Sequence, residues 1–200
     1  MTLPLKRIER LLRVCTGLAV ALAGTGQANA DPEVQALAVA TAAVVLADIL
    51  TGRPVREQRA HAAIEGGVFD AVSGEQRAAA FGAEYRAAGT LVWKLRPFAG
   101  AGISSDQSVY GYGGIRLATH WGRHAVITPS LAIGAYYRGE GKDLGDPPVL
   151  GRFGIDFEYA FDRGLRVGLA YHHMSNGQVL GQADNPGTQI VGLTVSAPLE

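Results

Sequence analysis

Cysteine is almost missing from this sequence. Cys15 is the only one, and it lies in an N-terminal segment with the texture of an export leader. Once that segment is removed, no thiol remains for a disulfide, a nucleophile or a metal site, so any nucleophile must be an oxygen. An excess of one charge is missing too, with 18 basic against 18 acidic residues. No basic patch of the kind that binds nucleic acid is present. Metal-ligand spacing is absent, because His61, His120, His124, His172 and His173 form no recognised set. Gly134 and Gly139 have the spacing of a phosphate-binding loop, but Glu140 stands where that loop needs a lysine. No cofactor or metal is expected.

What is present begins with the leader. Lys6, Arg7, Arg10 and Arg13 make a basic start, residues 18–23 lie in an apolar middle, and Ala28-Asn29-Ala30 is an A-x-A cleavage site. Residues 1–30 are therefore expected to be a secretory signal peptide, with the mature chain starting at Asp31. The leader holds four of the 18 basic residues and one of the 18 acidic ones, leaving a mildly acidic balance. Residues 31–60 form an Ala-rich N-terminal arm, helical or disordered. Gln35 and Asp48 interrupt its apolar run, which argues against a span needing about 20 predominantly apolar residues.

From residue 61 onward the chain breaks into glycine-rich, aromatic-containing pieces of about ten residues, the pattern of transmembrane strands. Eight can be marked, at 63–72, 79–87, 92–104, 108–121, 124–138, 149–161, 164–176 and 188–198. Alternate residues of a strand face opposite sides. In the sixth piece Phe153, Ile155, Phe157, Tyr159 and Phe161 oppose Gly154, Asp156, Glu158 and Ala160. In the seventh, Leu165, Val167, Leu169 and Tyr171 oppose Arg166, Gly168, Ala170 and His172. Periodicity alone leaves two readings. An outer-membrane barrel turns the apolar face to lipid, whereas a soluble exported barrel turns it inward around a small hydrophobic ligand. The export signal and the small-plus-charged second face (Gly82, Glu84, Arg86, Arg96, Arg116, Asp156, Glu158) favour the first. The expected fold is all-β: a single-domain, eight-stranded antiparallel transmembrane barrel over residues 61–200. Trp93, Trp121, Tyr136 and Tyr137 near strand ends are expected in its aromatic girdles.

Chemistry concentrates at the end of the seventh piece, Tyr171-His172-His173-Met174-Ser175-Asn176. His173 and Ser175 are two apart and share the lipid-facing side, while His172 points the other way. A serine hydroxyl beside an imidazole can act as a nucleophile with its base. An isolated H-x-S is also ordinary at a membrane interface, and so short a pattern recurs by chance. Lys142 and Asp143 are expected in a solvated loop or a headgroup-contacting rim.

Several pieces together resemble the outer-membrane lipid A 3-O-deacylases, the acyloxyacyl hydrolase-like proteins. His173-Met174-Ser175-Asn176 is similar to that family's H-x-S-N strand end, Asn185-Pro186-Gly187-Thr188 to its N-P-G turn, and Gly141-Lys142-Asp143-Leu144-Gly145 to its G-K-D-L-G loop. Pro97-Phe98, Ser104-Ser105-Asp106 and Thr128-Pro129-Ser130 are similar to weaker family features. The resemblance implies an outer-membrane serine ester hydrolase that removes the 3-O-linked acyl chain of lipid A, within lipopolysaccharide, as a monomer or homodimer. It implies Ser175 as nucleophile, His173 as base and Asn176 as oxyanion stabiliser. One departure matters: where the family carries Glu, two residues after the N-P-G glycine, this chain has Gln189. The alternative is a catalytically impaired barrel with a lipid-binding or structural role. Asp184, just before the turn, is a candidate substitute acid or a solvated turn residue.

Overall fold

A sheet closes into a tube only if every strand finds a partner on both sides, and here the pairing runs full circle. The structure, a computed structural model, describes residues 32–52, 59–145, 148–176 and 187–200. The expected leader lies outside them, as do Asp184, Asn185 and Pro186. One helix, α1 (Pro32–Thr51), precedes nine strands: β1 (His61–Phe69), β2 (Ala78–Arg86), β3 (Arg96–Ser104), β4 (Val109–Arg116), β5 (Thr119–Trp121), β6 (Ala125–Tyr137), β7 (Val149–Ala160), β8 (Arg166–Ser175) and β9 (Thr188–Pro198). They form one antiparallel sheet in the order β4-β3-β2-β1-β9-β8-β7-β6-β5, and β4 also pairs with β6, which closes the barrel. Both β4 and β5 lie against β6, so the barrel has eight strand positions.

The fourth position is broken for an identifiable reason. Arg116↔Ser130 and Thr119↔Ile127 belong to one continuous pairing frame, and the gap between them falls opposite Pro129. Proline has no N–H to give to a ladder. Leu117 N–H still donates to the Pro129 carbonyl at 3.0 Å, so half of the bond pair survives and the frame is kept.

The inner face is small and charged. Arg86 sits at its centre, with Nη1 2.9 Å from Glu158 Oε1 and Nη2 2.9 Å from Asp156 Oδ2, and Glu84 at 3.4 Å. Arg152 stacks over the Tyr112 ring at 4.1 Å. His172 Nε2 lies 3.1 Å from Glu65 Oε2. Charges buried this way survive only because they neutralise one another and share hydrogen bonds. The outer face is apolar, with Ile64, Phe81, Ile103, Ile133, Leu169 and Leu193 all exposed. An apolar surface wrapped round the whole tube suits lipid and not water. That overturns the soluble-barrel alternative, whose apolar face would point inward.

The two ends differ. One carries the connections 70–77, 105–108 and the two longest, 138–148 and 176–187, and the other carries 87–95, 122–124 and 161–165. Barrels of this kind keep their longer loops outside the cell, which makes the first end extracellular. There the interior becomes apolar, with Phe69, Tyr110, Tyr136, Leu144, Leu150, Met174 and Ile190 packed together. Tyr136 belongs to this inner cluster and not to an outer girdle. Its ring stacks on Phe69 and its hydroxyl donates to the Lys142 carbonyl at 2.8 Å. Tyr137, one residue on, faces outward.

The window Val34–Thr51 in α1 has mean hydropathy 2.0, long and apolar enough by composition to cross a membrane. Thr41–Glu200 makes one compact body, in which Asp48 is buried and its Oδ2 lies 2.5 Å from Lys94 Nζ in the β2–β3 turn.

Candidate active site

Antiparallel register determines which side chains can meet across a strand pair. In β8 and β9 it sets His173 directly opposite Gln189, with Tyr171↔Val191 and Leu169↔Leu193 below on the same outward side. Ser175 follows His173 by two residues, so it shares that side at the extracellular end of β8. The ladder to β9 stops at Met174↔Thr188, whereas the ladder to β7 runs one step further, to Gly151↔Ser175. Ser175 therefore stands where β8 and β9 part.

The surroundings of the three positions are unequal. His173 is 7% exposed and Gln189 1%, although both have outward parity, while Ser175 is half-buried. The side of Ser175 toward β7 is open. A methyl placed on Gly151 would meet only the Ser175 carbonyl oxygen, at an ordinary 3.7 Å. On the β9 side Gly187 lies against the imidazole. A methyl there would come within 2.5 Å of His173 Cε1 and 3.0 Å of Nε2. The Cε1–Nε2 edge of the ring thus faces Gly187, which precedes Thr188 and stands at the level of Ser175. Glycine at 187 is what lets the ring lie in that direction.

Asn176 is turned away from the outer wall. It is buried, and its Nδ2 donates to the Leu144 carbonyl at 3.1 Å. Its side chain is thus committed to the loop at residues 141–145. Any hydrogen bond from this position toward a reacting carbonyl at Ser175 falls to its backbone N–H.

That loop is not solvated along its length. Asp143 is exposed and pairs with Arg138 at 2.7 Å. Lys142, by contrast, is buried, and its Nζ lies 2.8 Å from Asp70 Oδ1, 2.9 Å from Ser73 Oγ and 3.4 Å from Glu75 Oε2. The expectation of a solvated Lys142 fails because the loop folds down over the barrel mouth. Asp70 follows β1 with φ +55°, and is completely buried. It accepts from Gln76 N–H at 2.9 Å, from the Ser73 hydroxyl, and from Thr188 Oγ1 at 3.4 Å. Burial works to raise the Asp70 carboxyl, but the Lys142, Ser73 and Gln76 hydrogen bonds outweigh it and pull it down to about 2. Asp70 has no signal in the sequence, and Thr188 appears there only as the last residue of the Asn185-Pro186-Gly187-Thr188 turn. The G-K-D-L-G run marks the loop, and nothing in it shows where the lysine points.

Among the described residues no acid takes the place that Gln189 leaves without a carboxylate. The acids that come close in sequence or register, Glu65 and Asp156, lie on the inner face with His172. Among the described residues no group of three or more His, Cys, Asp or Glu side chains is placed to hold a metal ion.

Comparison with known proteins narrows the chemistry. Residues 100–198 match the model of a family described as lipid A 3-O-deacylase (PagL). A sequence comparison with curated proteins returns no match. Among solved structures, the crystal structure of the outer membrane enzyme PagL is similar, with a TM-score of 0.53 and 15% identity over 70% of this chain and 99% of that one. A designed transmembrane β-barrel aligns with a TM-score of 0.48 and 12% identity, over 74% of this chain and 100% of that one. The outer membrane protein Ail of Yersinia pestis aligns at 0.41 and 9%, over 68% and 98%. The first of these shows the barrel fold.

Proposed function

Because the chain belongs to the lipid A 3-O-deacylase (PagL) family, which its residues 100–198 match, we propose that the outer-wall site of this outer-membrane barrel hydrolyses the 3-O-linked acyl ester of lipid A. The observation that carries this reading is the register pair His173↔Gln189, with Ser175 next on the same outward side of β8. A site on the outer wall meets its substrate laterally, in the leaflet, and needs no water-filled pocket.

In the reaction, Ser175 Oγ attacks the ester carbonyl while its proton passes to the His173 imidazole. The Asn176 N–H donates to the oxyanion that forms. The bond from the acyl carbon to the sugar 3-oxygen then breaks, and that oxygen takes the proton from His173. Water, activated by the same imidazole, releases the fatty acid from Ser175. The Gln189 side chain can accept a hydrogen bond from the imidazole through its amide oxygen, which orients the ring. It has no charge to offset the imidazolium. In serine proteases the corresponding acid-to-amide change lowers turnover about ten-thousand-fold.

Gln189 equally favours a second reading, a barrel that binds lipid A and turns it over slowly or not at all. Mass spectrometry of lipid A from cells expressing wild type, Ser175→Ala and Gln189→Glu separates the two. The esterase reading expects loss of one acyl chain with Gln189→Glu, none with Ser175→Ala, and an intermediate level with wild type. Deacylation that persists in Ser175→Ala refutes the assigned nucleophile. A silent wild type with an active Gln189→Glu variant establishes the impaired barrel.

A further inference from the structure

We propose that the buried Lys142–Asp70 ion pair is a positioning device for the wall site, holding the end of β8 and the start of β9 in place from the inner side where their ladder stops. The inference rests on the esterase reading of Ser175, His173 and position 189, and it adds residues that touch none of the reacting atoms. Beyond Met174↔Thr188 no described ladder pair joins β8 to β9, so backbone pairing stops one residue short of Ser175. The loop at residues 141–145 bridges that split at two points. Asn176, immediately after Ser175, donates to the Leu144 carbonyl at 3.1 Å. Lys142 donates to Asp70 Oδ1 at 2.8 Å, and Thr188, immediately before Gln189, reaches the same oxygen at 3.4 Å. Ala71 N–H, next to Asp70, donates to the Gln189 carbonyl at 3.0 Å. Tyr136 fixes the bridge from below, its hydroxyl donating to the Lys142 carbonyl at 2.8 Å. One short loop therefore grips the residue after the nucleophile directly and, through Asp70, the residue before the third site position.

The chemistry of the grip argues for positioning over bulk stability. A buried ion pair contributes little net stability, because desolvating both partners offsets their attraction, and apolar replacements are often as stable. The apolar cluster beneath, with Leu144, Met174 and Ile190, already supplies packing. What an ammonium adds is direction: N–H donors aimed at Asp70 and Ser73, with the Glu75 carboxylate 3.4 Å away. Such direction limits sliding of β8 against β9. A misplacement of about 1 Å at a reacting group costs on the order of a hundredfold in rate.

The test compares Lys142→Met/Asp70→Asn, which leaves no orphan charge, with Lys142→Arg and the parent, all in full-length barrels in detergent micelles. Gel mobility with and without heating reports that each barrel is folded. Amide hydrogen exchange is read residue by residue. The expected result is at least a tenfold gain in exchange at 173–176 and 188–190, unchanged exchange elsewhere in the strands, and recovery toward the parent with Lys142→Arg. In the Gln189→Glu background the same double variant is expected to lower kcat at least tenfold with KM within a factor of two. Exchange unchanged at the split, or raised evenly round the barrel, overturns the proposal. If no version releases acyl chains the esterase reading fails, and the exchange data still decide whether the pair holds the two strands in register.

Discussion

Gly187→Ala is the smallest change that separates the proposed site from an ordinary strand end. The added methyl would lie 2.5 Å from His173 Cε1 and 3.0 Å from Nε2. Carbon atoms rest at about 3.5–4.0 Å, so either the imidazole or the chain at 187 must give by about 1 Å. If His173 is the base for Ser175, a shift of that size costs roughly a hundredfold in kcat, about 2.7 kcal/mol in the transition state. The matched control is Gly151→Ala, on the other side of Ser175. There the new methyl meets only the Ser175 carbonyl oxygen at 3.7 Å, and the rate is expected to stay within about threefold. The assay is release of the 3-O-acyl chain from lipid A in mixed micelles, using whichever of wild type and Gln189→Glu is faster as parent. Gel mobility with and without heating confirms closed barrels. Equal losses in the two variants, or no loss with Gly187→Ala, would refute the imidazole beside Gly187 as the base for Ser175.

Other consequences can be read from the same geometry. Arg86→Leu leaves Glu84, Asp156 and Glu158 without their shared cation, and is expected to cost about 3–5 kcal/mol in urea unfolding from lipid micelles. A retained midpoint would show that the three acids are held by other means. Acid should loosen the extracellular mouth through Asp70. Its folded value is depressed from 3.8 to about 2, so its contribution is present above about pH 4 and is lost as pH falls through about 2. That contribution is about 2.5 kcal/mol, and the stability gap between wild type and Asp70→Asn should close over the same window. A gap that stays constant from pH 5 to pH 2, roughly the span between the two values, would remove Asp70 as its source. Gly151→Phe, by contrast, leaves the strand pairing intact while filling the open side of Ser175. Folding is expected unchanged and deacylation reduced by more than tenfold, about 1.4 kcal/mol or more; full activity would mean that substrate does not approach from the β7 side.

Much of this protein can be read from its residues alone, because a barrel strand writes its two faces into a period of two. Phe153, Phe157 and Tyr159 against Asp156 and Glu158 already separate outside from inside, and the structure assigns them accordingly. Strand pairing then needs only neighbours and turns, which is why eight pieces marked by composition correspond to eight positions round the tube. The spacing of His173 and Ser175, and the amide at 189, are equally visible as local facts. Tertiary structure alone decides what those residues face. Periodicity could not break the fourth strand, since the missing bond depends on Pro129 standing opposite Leu117 across the sheet. Nor could it turn Tyr136 inward, where Phe69, 67 positions away, offers a ring to stack on. Lys142 is the clearest case. A lysine in a G-K-D-L-G loop has the composition of a solvated tip, and only the meeting of two loops 72 residues apart buries it on Asp70. Local pattern determines faces and spacing because both are properties of a single strand. Burial and partnership of polar groups at the barrel mouth depend on loops that come together only once the sheet has closed.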